Sequence, residues 1–148
     1  MGEVTHPSLY TMSDDKYRSD GERKIGSFLE EAGLDFEYEA PLLVRDRGRP
    51  RIWYPDFRLS DYRTLIEYFG VRDDPSYEQM KRRKATVYRN NNIPVLFLTE
   101  PDLRGDWKRR LLDDVGEMLR TRYLQFRETQ DQYLRSKSQR ISRRDIPF

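Results

Sequence analysis

Along the chain, apolar positions recur first at helical and then at strand spacing. From Asp20 onward, Ile25, Phe28, Leu29 and Ala32 fall three and four residues apart. That spacing predicts an amphipathic helix capped by Asp20 and closed at Gly33. Three strand-like segments follow. In Phe36–Val44, Phe36 and Tyr38 alternate with Asp35, Glu37 and Glu39, and the polar loop Arg45–Pro50 then turns the chain. Residues 52–59 form the second segment, interrupted by Pro55, and Ser60-Asp61 signals another turn. The third, Thr64–Gly70, is the most apolar and is expected at the centre of a sheet.

Pro75-Ser76 opens a second helix that the triple Asn90-Asn91-Asn92 stops. Residues 93–98 then read as a short buried strand, with Pro94 tolerated at its start. A long helix begins near Gly105-Asp106, with Trp107, Leu111, Leu112, Val115, Met118 and Leu119 on its apolar side. Tyr123, Phe126 and Tyr133 carry that spacing past what one small domain needs, so the extension either folds back or packs on another subunit. From about Ser136 the composition predicts a disordered tail. The order α-β-β-β-α-β-α, with a helix long enough for a crossover before the last strand, predicts an α/β fold with a mixed sheet flanked by helices. Residues 1–19 are expected to be a flexible arm, 20–120 the core domain, and 121–148 a basic helical extension ending in the tail.

Composition narrows the class. The chain has 148 residues, enough for one modest core, and 36% of them are charged. No run of apolar residues approaches a membrane span, and the first 20 residues lack the apolar stretch of a secretory signal. With no cysteine, thiolate zinc sites, disulfides and cysteine nucleophiles are excluded, and a cytoplasmic, intracellular protein without membrane attachment is expected. There is no Gly-rich loop for a nucleotide cofactor, and the single histidine, His6, lies in the arm. Net charge is +2, yet Arg120–Phe148 carries eight basic residues against Glu128, Asp131 and Asp145. Such a tail is a phosphate-attracting surface or simply a solvated helix end.

Two acids stand where ionised groups are costly. Asp56 lies inside the second predicted strand and Glu67 inside the most apolar one, with ten residues and a turn between them. A hairpin of that length brings both side chains together, and a hard divalent ion between them relieves their repulsion. Taken singly, each acid also fits an edge strand or an arginine salt bridge. On the second helix, Tyr77, Met80, Val87 and Tyr88 form an apolar stripe, and Lys84 falls on it. Lys84 can therefore reach the carboxylates, or it can snorkel at the core edge; Lys81 is its rival for the inward position. Glu22, three residues before Ile25, sits on or beside the buried side of the first helix, where an acid also favours the helix dipole.

These residues resemble the PD-(D/E)XK nuclease superfamily, whose restriction-endonuclease-like core is an α-β-β-β-α-β unit. The elements that carry the likeness are Gly21-Glu22, Pro55-Asp56-Phe57, Ile66-Glu67-Tyr68-Phe69-Gly70, and a helix with Tyr77 and Lys84-Ala85-Thr86-Val87-Tyr88. They span about residues 20–100. The resemblance implies Asp56 and Glu67 as metal ligands, Glu22 as an outer or second-metal acid, and the Tyr68 carbonyl as a further ligand. It departs at Phe69, where the family pattern has lysine; the superfamily also moves that lysine to the following helix, where Lys84 stands.

The expected function is therefore hydrolysis of DNA by a water activated on Mg²⁺ or Mn²⁺, with Lys84 orienting that water or offsetting phosphate charge. Arg45, Arg47, Arg49 and Arg51 in the first hairpin loop, with Lys81 on the helix, are expected to contact the nucleic acid. A homodimer is attractive because two sites cut two strands. Two rivals belong to other classes: a DNA-binding subunit that kept the fold without activity, and an oligomerisation subunit built around the long helix. Nothing in the sequence reads sugar or base identity, so RNA stays open beside DNA.

Overall fold

The computed structural model describes residues 16–70 and 75–144. Most of the expected arm, His6 included, and the last four residues lie outside that range. Helix α1 spans Asp20–Glu31. Its cap is Ser19 rather than Asp20: the Ser19 side chain accepts the Glu22 N–H at 3.1 Å. Gly33 (φ 69°) takes the left-handed conformation that lets the chain leave the helix.

The chain then builds two sheets. One is a hairpin of β2 (Leu42–Asp46) and β3 (Arg49–Trp53). Its two-residue turn, Arg47-Gly48, has positive φ at both positions, the twist that suits a tight hairpin. The other contains β1 (Glu37–Tyr38), β4 (Phe57–Leu59), β5 (Thr64–Phe69) and β6 (Val95–Thr99), in the order β1-β4-β5-β6. The pairs β1/β4 and β4/β5 are antiparallel, whereas β5/β6 is parallel and is connected through α2 (Pro75–Asn90). A mixed sheet with β5 at its interior is thus present.

The first two predicted strands are each divided. The breaks fall at 39–41 and 54–56, around Pro41 and Pro55, which have no N–H to give a ladder. The outer halves of the two segments leave the main sheet as the β2–β3 hairpin. Asp56 consequently stands just before β4, not within a strand.

Side chains of β4 and β5 sort to two faces. On one, Phe57, Leu59 and Ile66 pack with Ile25, Phe28 and Leu29 of α1 and with Leu111 and Val115 of α3 (Trp107–Arg144). Each such side chain, fully buried, contributes about 1.5–3 kcal/mol. On the other face, Leu65 packs with Val87 and Tyr88 of α2 and Val44 of the hairpin. Met80, expected on the apolar stripe of α2, is exposed, because that first half of the helix extends past the core.

Helix α3 does not yield to disorder at Ser136; it continues to Arg144. Residues 137–144 are highly charged, but they include neither glycine nor proline to break a helix. The segment 16–19 likewise is not loose. The ring of Tyr17 stands 4.9 Å from that of Tyr38 and 6.2 Å from that of Phe57. Among the described residues, no helix is long and apolar enough to cross a membrane.

Candidate metal centre

Pairing of β4 with β5 places Phe57 opposite Ile66, which sets Asp56 opposite Glu67. The ladder stops there. The Tyr68 N–H donates to Asp56 Oδ2 at 2.7 Å, and the Asp56 carbonyl accepts the Glu39 N–H at 3.0 Å. The Asp56 carboxylate thus fills the gap where the two strands part. A residue's N–H and carbonyl point to the same edge of a strand, so the Tyr68 carbonyl also opens toward Asp56.

Glu67 projects from the other face of β5, with Leu65 and Phe69, and is 1% exposed. One of its oxygens, Oε2, lies 3.1 Å from Lys84 Nζ, and the other accepts a hydrogen bond from the Tyr88 hydroxyl. Lys84 and Tyr88 are one turn apart on α2, so a single helix face supplies both partners. The Lys84 ammonium also lies 5.6 Å from the centre of the Phe69 ring, within cation–π range. Phe69, two residues after Glu67, therefore supports the lysine from the same face of β5. Lys81 stands 6.0 Å from the same ring, and Lys84 is the lysine at Glu67.

Glu22 arrives from α1. The approach depends on Gly21, because a Cβ there would lie 2.0 Å from Tyr68 Cζ. With no side chain at Gly21, the Tyr68 ring packs against the first turn of α1 and Glu22 is drawn into the gap. Glu22, Glu39 and Asp56 each offer an oxygen, all within 4.8 Å of one another. Glu39 holds φ at 50°, a left-handed conformation that costs a non-glycine residue about 1–2 kcal/mol.

Among the described residues, the tight acid group is thus Glu22, Glu39 and Asp56, and Glu67 is near enough for its charge to act on Asp56. The sequence placed Asp56, Glu67 and Glu22 but not Glu39, which looks like one more polar position in an alternating strand. Arg18 falls in the expected arm and carries no sequence signal of a role here; its Nε lies 2.7 Å from Glu39 Oε1. Arg18, Glu22, Glu39, Tyr54, Asp56 and Lys84 line one cleft of about 530 Å³.

Burial, then the nearby Glu67 charge, pushes the Asp56 carboxyl up to about 8. The Tyr68 N–H opposes that rise, and Glu22 adds to it. Burial and Glu67 likewise raise the Tyr88 hydroxyl, which keeps it a donor. Acids crowded enough for one to retain its proton fit a hard divalent cation, whose ligands are carboxylate and carbonyl oxygens.

The hairpin arginines lie apart from this gap. Arg45, Arg47, Arg49 and Arg51 are all exposed on β2, β3 and their turn. Arg51 Nε stands 3.7 Å from Asp46, whose principal partner is Arg83 of α2. That guanidinium holds the Asp46 carboxyl below its ordinary range. No protein-family model matches the chain, and no curated protein matches it in sequence.

Proposed function

We propose that this chain is a metal-dependent endonuclease of the PD-(D/E)XK type that hydrolyses DNA phosphodiester bonds. The observation that carries this reading is the contact of Lys84 with Glu67 beside the Glu22–Glu39–Asp56 group. A carboxylate cluster alone is ordinary; a cluster with an ammonium group on its inner edge and an open cleft suits attack on a phosphate.

Asp56, Glu22 and Glu39, with Glu67 and the Tyr68 carbonyl at hand, would hold the cation. A bound Mg²⁺ or Mn²⁺ supplies positive charge against the phosphate and makes water more acidic. Tyr88 fixes Glu67 by its hydrogen bond, so the carboxylate cannot swing toward solvent. Lys84 brings donors to the same place, where they orient a water or offset charge on the phosphate oxygens. Arg18 stands at the cleft rim as a phosphate contact, and the exposed arginines of the hairpin extend that surface. The rival of an inactive nuclease fold rested on Phe69 in the lysine position. Lys84 lying over the Phe69 ring and on Glu67 favours the active reading. A homodimer, with one site per strand, belongs to this proposal.

The test is incubation of supercoiled plasmid with the protein in Mg²⁺, Mn²⁺ or EDTA, beside Asp56→Ala and Lys84→Ala. Cleavage should require metal and fall on the order of a hundredfold or more in each variant, as for loss of a charge-stabilising group. Cleavage of equal rate by Asp56→Ala would sink the assignment.

A further inference from the structure

The outer face of the β2–β3 hairpin carries an arrangement that metal-dependent hydrolysis does not require. Register pairs Leu43 with Ile52 and Arg45 with Pro50. Cross-strand partners share a face, and so do residues two apart, which sets all four on one side. The opposite side, with Val44 and Asp46, packs on α2. A hairpin with one face on the core is expected to show polar residues on the other. Here Leu43 is 65% and Ile52 52% exposed, and Tyr54, just past the end of β3, is 62% exposed. Two arginines flank the apolar pair, Arg45 on the same face and Arg47 in the turn, whereas Arg49 and Arg51 of β3 pair with Asp46 and Val44 on the opposite side.

The hairpin is also fixed rather than free to swing. The Asn91 side chain accepts the Arg45 N–H at 2.8 Å and donates to the Arg45 carbonyl at 2.9 Å. The same amide donates to the Val87 carbonyl at 2.7 Å, which locks β2 to the end of α2. Arg83 on Asp46 adds a second tie near the tip. Position completes the picture. Ile52 precedes Asp56 by four residues, so at most about 14 Å of extended chain separates them, roughly four base steps of DNA.

We propose that this face is a wedge that opens DNA next to the phosphate to be cut. Leu43 and Ile52 enter between base steps and partly unstack them. Arg45 and Arg47 hold the flanking phosphates, as apolar wedges framed by basic residues do in proteins that kink the duplex. The proposal rests on the nuclease reading for its placement, and it names the substrate: duplex DNA that bends or unstacks readily, at a nick, mismatch or junction. Charge selects this partner over an apolar protein surface, because exposed Arg45 and Arg47 lie beside the pair, and Asp46, the hairpin's one acid, is buried on the other side and engaged by Arg83.

The test uses the full chain in EDTA, so that binding is read without cleavage. Duplexes carrying 2-aminopurine, either intact or with a central mismatch, are titrated with wild type and with the Leu43→Ser/Ile52→Ser double variant. These positions are exposed, so the fold should survive, and circular dichroism checks that. Wild type should raise 2-aminopurine fluorescence at least twofold at saturation. The double variant should lose the rise, bind intact duplex about tenfold more weakly, and bind mismatched duplex nearly as well as wild type. No fluorescence rise with wild type, or an unchanged rise with the double variant, would overturn the wedge. So would loss of binding to anionic lipid vesicles in the double variant with DNA binding intact, which would make the face a lipid contact. A chain that opens DNA but cuts nothing in Mg²⁺ would refute the nuclease and leave the wedge standing. Metal-dependent cutting with no opening would do the reverse.

Discussion

Lys84 meets Glu67 from the next helix, Nζ to Oε2 at 3.1 Å, in surroundings that leave Glu67 almost no water. The pair is asymmetric, since the Lys84 side chain keeps 29% of its exposure while that of Glu67 keeps 2%. Lys84→Ala therefore leaves a buried carboxylate without its counter-charge. A loss of about 2–4 kcal/mol is expected in urea denaturation, somewhat below a fully buried pair because the lysine is partly solvated. Adding Glu67→Gln to Lys84→Ala should restore most of it. Equal losses in the single and double variants would show that the charge is not what matters.

Asp56 ties stability to pH. Its carboxyl is pushed up to about 8 in the folded chain from an ordinary value of 3.8. Between those values the folded state binds the extra proton, so stability falls as pH rises, by up to about 1.4 kcal/mol per pH unit. Below the window both states are protonated; above it neither is, and the cost is complete. Thermal melts in EDTA from pH 5 to 9 should show a falling Tm, and Asp56→Asn should flatten the slope. A level wild-type profile over that range would remove the crowding argument.

Gly21 is expected to be the glycine most sensitive to a single methyl group. In Gly21→Ala the new Cβ would overlap the Tyr68 ring, and rigid overpacking of this kind costs about 1–3 kcal/mol. Shrinking the ring in a Gly21→Ala/Tyr68→Ala chain should make the alanine tolerable. The comparison to make is the cost of Gly21→Ala in each background, by thermal melting.

Glu39 separates stability from ligand binding. Glu39→Gly relieves a left-handed backbone and should stabilise the chain by up to about 1 kcal/mol, less whatever the Arg18 contact contributes. The same change removes one of three clustered carboxylates, so Mn²⁺ affinity should drop at least tenfold by calorimetry. A variant that melts higher yet binds Mn²⁺ like wild type would take Glu39 out of the centre.

Much of this arrangement is legible in the sequence, for reasons that can be named. Asp56 and Glu67 stand out because acids are costly in apolar surroundings and a turn lies midway between them. Lys84 followed from helix arithmetic, four residues after Met80 and three before Val87, although Met80 itself proved exposed. The strand breaks were less legible. Pro41 and Pro55 marked them, yet the alternation of Phe36, Tyr38 and the acids between them reads straight through the first. Glu39 depends on a positive φ that no side-chain pattern encodes, so its carboxylate turns inward unannounced. The length of α3 is not legible in its charge content; the lack of helix breakers in residues 137–144 is what lets it run to Arg144.

The order of residues in the centre has a consequence for how the protein is made. The four carboxylates, Glu22, Glu39, Asp56 and Glu67, leave the ribosome before Lys84 and Tyr88, which hold Glu67. A nascent chain that ends before α2 has the acids without the groups that make burial of Glu67 tolerable. Closing β5 into an apolar layer at that stage would strand a bare charge, so early collapse is opposed. Only when α2 has emerged does the central strand gain its counterweight, and β6 must still follow to cover the other edge of β5. A partly synthesised chain is thus kept from closing around the acids, and the buried Glu67 is settled only when the domain is complete.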